Sequence, residues 1–183
     1  MDLTTAGGDI DRVIVTAPEI QERLKEIARV VETDYEGRNL LVIGILKGAV
    51  MTMADFARSL NCHVEMDWMA VTSYGSGTKS SGVVRILKDL DRDITGRDVL
   101  IVEDIVDTGL TLAWLKSNLQ SRGAKSVEIF TMLRKPDAAK VEVEVKYVGF
   151  DIPNEFVVGY GLDYNERYRN LDFIGILAKE VYS

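Results

Sequence analysis

The sequence predicts an α/β fold: a central, mostly parallel sheet flanked by helices, with a small hood from the N-terminal strand and from about residues 150–183. Three observations carry this. Leu40 to Leu46, Val99 to Val102 and Val127 to Leu133 are unbroken apolar runs, which is how strands buried on both faces of a parallel sheet read. Segments with apolar residues at helical spacing separate these runs. Beyond Gly149 the strand-like stretches are short and no longer alternate with helices, so they suit a cap at one end of the sheet.

The 183 residues suit a single domain with a sizeable core, and 46% hydrophobic with 28% charged residues is ordinary globular composition. A net charge of -7 and a pI near 4.8 argue against a general nucleic-acid or membrane-surface binder, though not against a local basic pocket. One cysteine, Cys62, allows no internal disulfide and fits a reducing compartment. It precedes the only histidine, His63; neighbours in a strand point to opposite faces, which argues against a Cys-His catalytic pair. The first residues lack the basic and apolar regions of a signal peptide, and no apolar run reaches 18 residues, so a cytoplasmic protein is expected.

In chain order, residues 1–11 are expected to be flexible, and Arg12 to Val15 can form a short strand. Thr16-Ala-Pro-Glu19 matches a capping box, and Ile20, Leu24, Ile27, Ala28 and Val31 mark a packing helix to about Asp34. After the Leu40 to Leu46 strand come Lys47-Gly48 and a helix from Ala49 to Leu60, with Val50, Met53, Ala54 and Ala57 available to one face. Lys47 at a strand end suits either an anionic ligand or plain solvent. Val64 to Ser73 is strand-like and pairs naturally with Val83 to Leu87. Between them, Ser73 to Gly82 is the one low-complexity stretch; it suits a mobile lid or a hairpin tip, and its glycine spacing is not that of a dinucleotide fingerprint. Arg122-Gly123-Ala124 stops the central helix. Lys135 stands at a third strand end, before Pro136. Val141, Val143, Val145, Tyr147 and Phe150 suggest a strand interrupted near Gly149, and Phe156 to Tyr160 and Phe173 to Leu177 suggest two more.

The stretch from Val99 to Leu112 carries the chemistry. A buried strand ends in Glu103 and Asp104, where open α/β sheets bind ligands. Asp107-Thr108-Gly109 then offers a turn whose amides can converge on an anion, at the amino end of a helix from Leu110 to Leu119. Locally this reads as a sugar-phosphate site, and equally as a solvated loop with a helix cap. It is neither a P-loop nor a calcium loop.

These residues together resemble a known family. Val99 to Leu112 is similar to the phosphoribosyl-diphosphate signature of the phosphoribosyltransferases. Its combination with Leu46-Lys47-Gly48, Ser73-Tyr74-Gly75, Lys135, Phe156 to Tyr160 and Leu162-Asp163-Tyr164-Asn165-Glu166 through Arg169 resembles the hypoxanthine (hypoxanthine-guanine) branch, across about Val13 to Val181. The resemblance implies the phosphoribosyltransferase fold and transfer of a 5-phosphoribosyl group from phosphoribosyl diphosphate to N9 of hypoxanthine or guanine, with Mg2+.

Carried onto this chain, the resemblance implies that Glu103 and Asp104 hold the ribose hydroxyls. Ile105, Val106, Asp107, Thr108, Gly109, Leu110 and Thr111 surround the 5-phosphate, and Asp107 faces N7 of the base as partner or general base. Lys135 donates to the exocyclic oxygen, Phe156 stacks on the purine, and Val157 reads its edge through backbone groups. Asp163 borders the purine and ligates magnesium, with Glu103 and Asp104 as further ligands. Leu46, Lys47, Gly48 and Arg169 take the diphosphate, with a cis peptide between Leu46 and Lys47. Ser73 and Tyr74 begin a lid. The resemblance further implies a homodimer or homotetramer. A xanthine-guanine preference is the alternative within the fold. The rival from another class, a regulator that binds RNA or an operator, needs a basic face that 29 acidic against 22 basic residues do not favour.

Overall fold

The computed structural model describes residues 3–73 and 84–183. Its central sheet runs in the order β4-β3-β2-β5-β6-β7, formed by β2 (Leu40–Leu46), β3 (Glu65–Ser73), β4 (Val84–Lys88), β5 (Asp98–Val106), β6 (Ser126–Arg134) and β7 (Tyr147–Asp151). All neighbours are parallel except the β3–β4 hairpin. The expected fold is therefore present. β2 and β5 occupy the centre, where helices cover both faces, and their apolar runs are buried without alternation.

Helix α2 (Ala17–Asp34) starts at the expected capping box: the Thr16 backbone N–H donates to the Glu19 carboxylate at 2.8 Å. Its predicted stripe, Ile20, Leu24, Ile27, Ala28 and Val31, is buried against β2, β5 and β6. On the same side, α3 (Val50–Ser59) buries Thr52, Met53 and Phe56 instead of the expected Val50, Ala54 and Ala57. Phe56 decides the rotation of this helix, since its ring packs 4.9 Å from that of Phe130. The opposite face of the sheet takes α4 (Leu110–Ser121) through Leu112, Leu115 and Leu119.

In β3 the fully buried positions are Asp67 and Met69, while Met66 is exposed. Cys62 and His63 lie in the connection before β3, both exposed, so the opposite-face argument does not apply to them. Gly149 does not interrupt its strand. It lies inside β7, where the Met132 carbonyl oxygen would be 2.3 Å from an added Cβ. Val143 and Val145, expected as strand, instead pack as an irregular strap against the α4 side of the core.

The hood is a second sheet in the order β1-β9-β8, from β1 (Ile10–Val15), β8 (Val157–Val158) and β9 (Ile174–Leu177), all antiparallel. Residues 3–9, expected to be loose, form the short turn α1 (Leu3–Ala6) and a 3-10 turn. Two anchors hold this segment: Ala6 is buried in the hood core, and the Tyr168 hydroxyl donates to the Asp9 carboxylate at 2.7 Å. A last helical turn, α5 (Lys179–Tyr182), closes the hood.

Candidate active site

The carboxyl ends of β2, β5 and β6 converge beneath the hood. β5 continues past its apolar run through Glu103 and Asp104 to Val106, still paired to β6. A cleft of about 260 Å³ opens there, lined by Leu46 of β2, by Gly48 of the turn after it and by Glu103 to Gly109, with Thr111 and Leu112 of α4. Gly109 stands in the left-handed region at φ 78° and begins α4, so the free amides of the first helical turn face this cleft. The Thr108 carbonyl points the other way and accepts from the Lys140 and Val141 amides at 3.0 and 3.3 Å.

Two neighbouring carboxyl groups form the floor of the cleft. Burial and the adjacent Asp104 hold Glu103 well above the usual carboxylate range. Burial also pushes Asp104 up to about 6, against the Ile105 amide, which donates to its Oδ1 at 2.6 Å. Such a pair is relieved by hydroxyl donors or by a cation. Among the described residues no three potential ligands are grouped as a ready-made metal cage.

Lys135 reaches this centre from the end of β6. Its amide donates to the Val106 carbonyl at 2.9 Å, and its buried ammonium lies 3.7 Å from the exposed carboxylate of Asp107. The expected cis peptide joins Leu46 to Lys47. The hood loop after β8 brings Asp163 and Arg169, paired at 2.9 Å. Arg169 also donates to the Gly161 carbonyl at 2.7 Å and leaves its buried Nε without a partner.

Glu166, which had no separate role in the expected site, lies 3.1 Å from Lys47 and 3.4 Å from Arg169, bridging the two cations expected to take diphosphate. No local signal marks it, because Lys47 is 119 residues away. Gly161 was also missed. It has φ 101°, and an added Cβ would lie 2.0 Å from the Gly48 carbonyl oxygen, while one on Gly48 would lie 1.6 Å from Asp104 Oδ2. Bare backbone thus joins hood to sheet to carboxylate in one tight seam.

Phe156 and Val157 belong to the hood and are not part of the cleft lining; Val157 is buried in β8, and Phe156 remains 38% exposed. The backbone of Ser73 ends β3, and the rest of the expected lid, including Tyr74, lies outside the described residues.

The phosphoribosyl transferase domain model matches residues 14–165. A hypoxanthine-guanine phosphoribosyltransferase from Mycobacterium bovis is 58% identical over 96% of this chain and 90% of its own length. One from Lactococcus lactis is 52% identical over 95% and 94%. A solved hypoxanthine phosphoribosyltransferase from Staphylococcus aureus superposes with a TM-score of 0.95 at 49% identity, covering 98% of this chain and 97% of that one.

Proposed function

The chain belongs to the hypoxanthine-guanine branch of the phosphoribosyl transferase family, and from that membership we propose that it is a purine salvage enzyme moving the 5-phosphoribosyl group of phosphoribosyl diphosphate onto N9 of hypoxanthine or guanine. The products are IMP or GMP and diphosphate. One observation carries the reading at residue level: the buried Lys135 ammonium stands 3.7 Å from Asp107 of the phosphate loop, so a base-reading cation and a sugar-phosphate cradle share one centre.

In the reaction the N9–C1′ bond forms as the bond from C1′ to the diphosphate oxygen breaks, and the electron pair leaves with diphosphate. The proton displaced from the base goes to Asp107, whose carboxylate is exposed at the cleft. Glu103 and Asp104 accept hydrogen bonds from the ribose hydroxyls, while amides and hydroxyls from Asp107 to Thr111 donate to the 5-phosphate. Lys135 donates to the exocyclic oxygen, a contact that the amino group of adenine cannot return. Phe156 stacks on the ring and the Val157 backbone meets its edge. Lys47 and Arg169, with the amides around Leu46 and Gly48, neutralise the diphosphate and give up Glu166 to do so.

Magnesium, when bound, spreads the charge of the leaving diphosphate, and Glu103, Asp104 and Asp163 are the carboxylates that would hold it. The donor set fits. A magnesium ion keeps several waters and takes one or two carboxylates beside phosphate oxygens, so it needs no all-protein cage. We place the enzyme in the cytoplasm as a homodimer or homotetramer; no helix among the described residues is long and apolar enough to cross a membrane.

The test is direct. The protein is incubated with phosphoribosyl diphosphate, magnesium and each 6-oxopurine, and the nucleotide is separated from the base. IMP and GMP are expected; absence of product with every 6-oxopurine overturns the assignment.

A further inference from the structure

Tyr182 stacks on the Phe156 ring, with ring centroids 5.1 Å apart and an interplanar angle of 27°. Tyr164 meets Phe156 edge-on at 5.7 Å and Tyr182 at 6.4 Å, so the three rings close a triangle. Tyr182 belongs to α5, which is tied down twice: the Ala178 amide donates to the Asp9 carbonyl at 2.8 Å, and Val181 packs on the hood core. Phe156 and Tyr182 together line a cavity of about 520 Å³ on the hood, whose walls share no residue with the cleft at Glu103 to Leu112. Even with two ring neighbours Phe156 remains 38% exposed, so area for a further flat ring is left.

We infer that Tyr182 is a positioning residue for the purine: it backs Phe156, and the ring is presented to the base in one orientation. This rests on the reading of Phe156 as the stacking wall. Phe156 is partly exposed just before a two-residue strand, and Tyr164 touches it only edge-on, so without the stacked ring more of its ordering has to be completed when the base binds. The backing is remote from the phosphate loop, so its loss weakens base binding and leaves the sugar-phosphate contacts unchanged.

The experiment compares dissociation constants of IMP and ribose 5-phosphate for the full chain and its Tyr182→Ala and Tyr182→Phe variants. Ribose 5-phosphate lacks the base, so the ratio of the two constants isolates the base contribution, and its own binding reports that the variant is folded. For Tyr182→Ala the IMP constant is expected to rise about three- to tenfold, the range an aromatic pair contributes, with ribose 5-phosphate unaffected and Tyr182→Phe close to the parent. An unchanged ratio overturns the inference. So does tighter IMP binding, which would mean that Tyr182 occupies the place of the base. If the parent itself binds IMP no more tightly than ribose 5-phosphate, the purine reading has failed first, and the role of Tyr182 falls with it.

Discussion

The sugar-phosphate cradle and the base-reading half of the site are built in opposite ways. The cradle is one unbroken stretch, Glu103 to Thr111, carried from a buried strand directly into a helix. The base side is assembled from remote pieces: Lys135 at the end of β6, Phe156 before β8, Val157 within it and Asp163 from the loop beyond it. A contiguous stretch holds its geometry through strand pairing and helix start alone. An assembled one depends on the hood sheet staying on the central sheet. The cradle should therefore govern turnover and the hood side the choice of base, and changes at the seam between them should disturb both.

The largest expected effect is in the cradle. Asp107→Asn removes the proposed proton acceptor while keeping the size of the side chain, and kcat should fall about 10²- to 10⁴-fold with far less change in phosphoribosyl diphosphate affinity. Single-turnover rates beside equilibrium binding separate the two. Equal losses in both would make Asp107 a binding residue only.

On the base side, Lys135→Ala should narrow the preference for hypoxanthine over adenine, read as a ratio of kcat/KM values, by roughly 10² or more. An unchanged ratio would move base reading elsewhere and blur the division between the halves.

The seam comes next. Gly161→Ala must place a methyl group against the Gly48 carbonyl at a backbone angle that alanine rarely adopts, costing about 2–4 kcal/mol. Thermal unfolding should shift downward, with IMP affinity and turnover lost together; an unaltered midpoint would show that hood and sheet are not so tightly joined.

The smallest effect concerns pH. The folded pKa of Asp104, about 6, lies above its ordinary 3.8, so stability present in acid is lost as pH rises from about 4 through 6. Asp104→Asn has no charge to bury. Above pH 6 it should be more stable than the parent by on the order of 1–2 kcal/mol, with the gain gone near pH 4 and activity reduced throughout. Denaturant midpoints across that range measure it, and a gain persisting at pH 4 would assign the effect to packing.

What the sequence made legible follows the same division. β2 is bounded in the sequence as in the structure, because an apolar run buried on both faces leaves no ambiguity. The cradle is readable for the same reason: its chemistry lies in consecutive residues. Val143 and Val145 misled because period-two spacing suits a strand and equally an irregular strap over a helix. The rotation of α3 was set by one ring contact, that of Phe56 with Phe130 of the distant strand β6. Glu166 between Lys47 and Arg169, Gly161 against Gly48 and Tyr182 on Phe156 are all pairings across the chain. Periodicity does not contain them.

The seam of Asp104, Gly48 and Gly161 also has a mechanical meaning. Where backbone touches backbone without intervening side chains, there is no compliant layer through which one body can slide over the other. At Gly161 and Gly48 hood and sheet thus meet without such a layer. The distance between the base wall and the phosphate loop is consequently a built-in ruler, set before any substrate arrives.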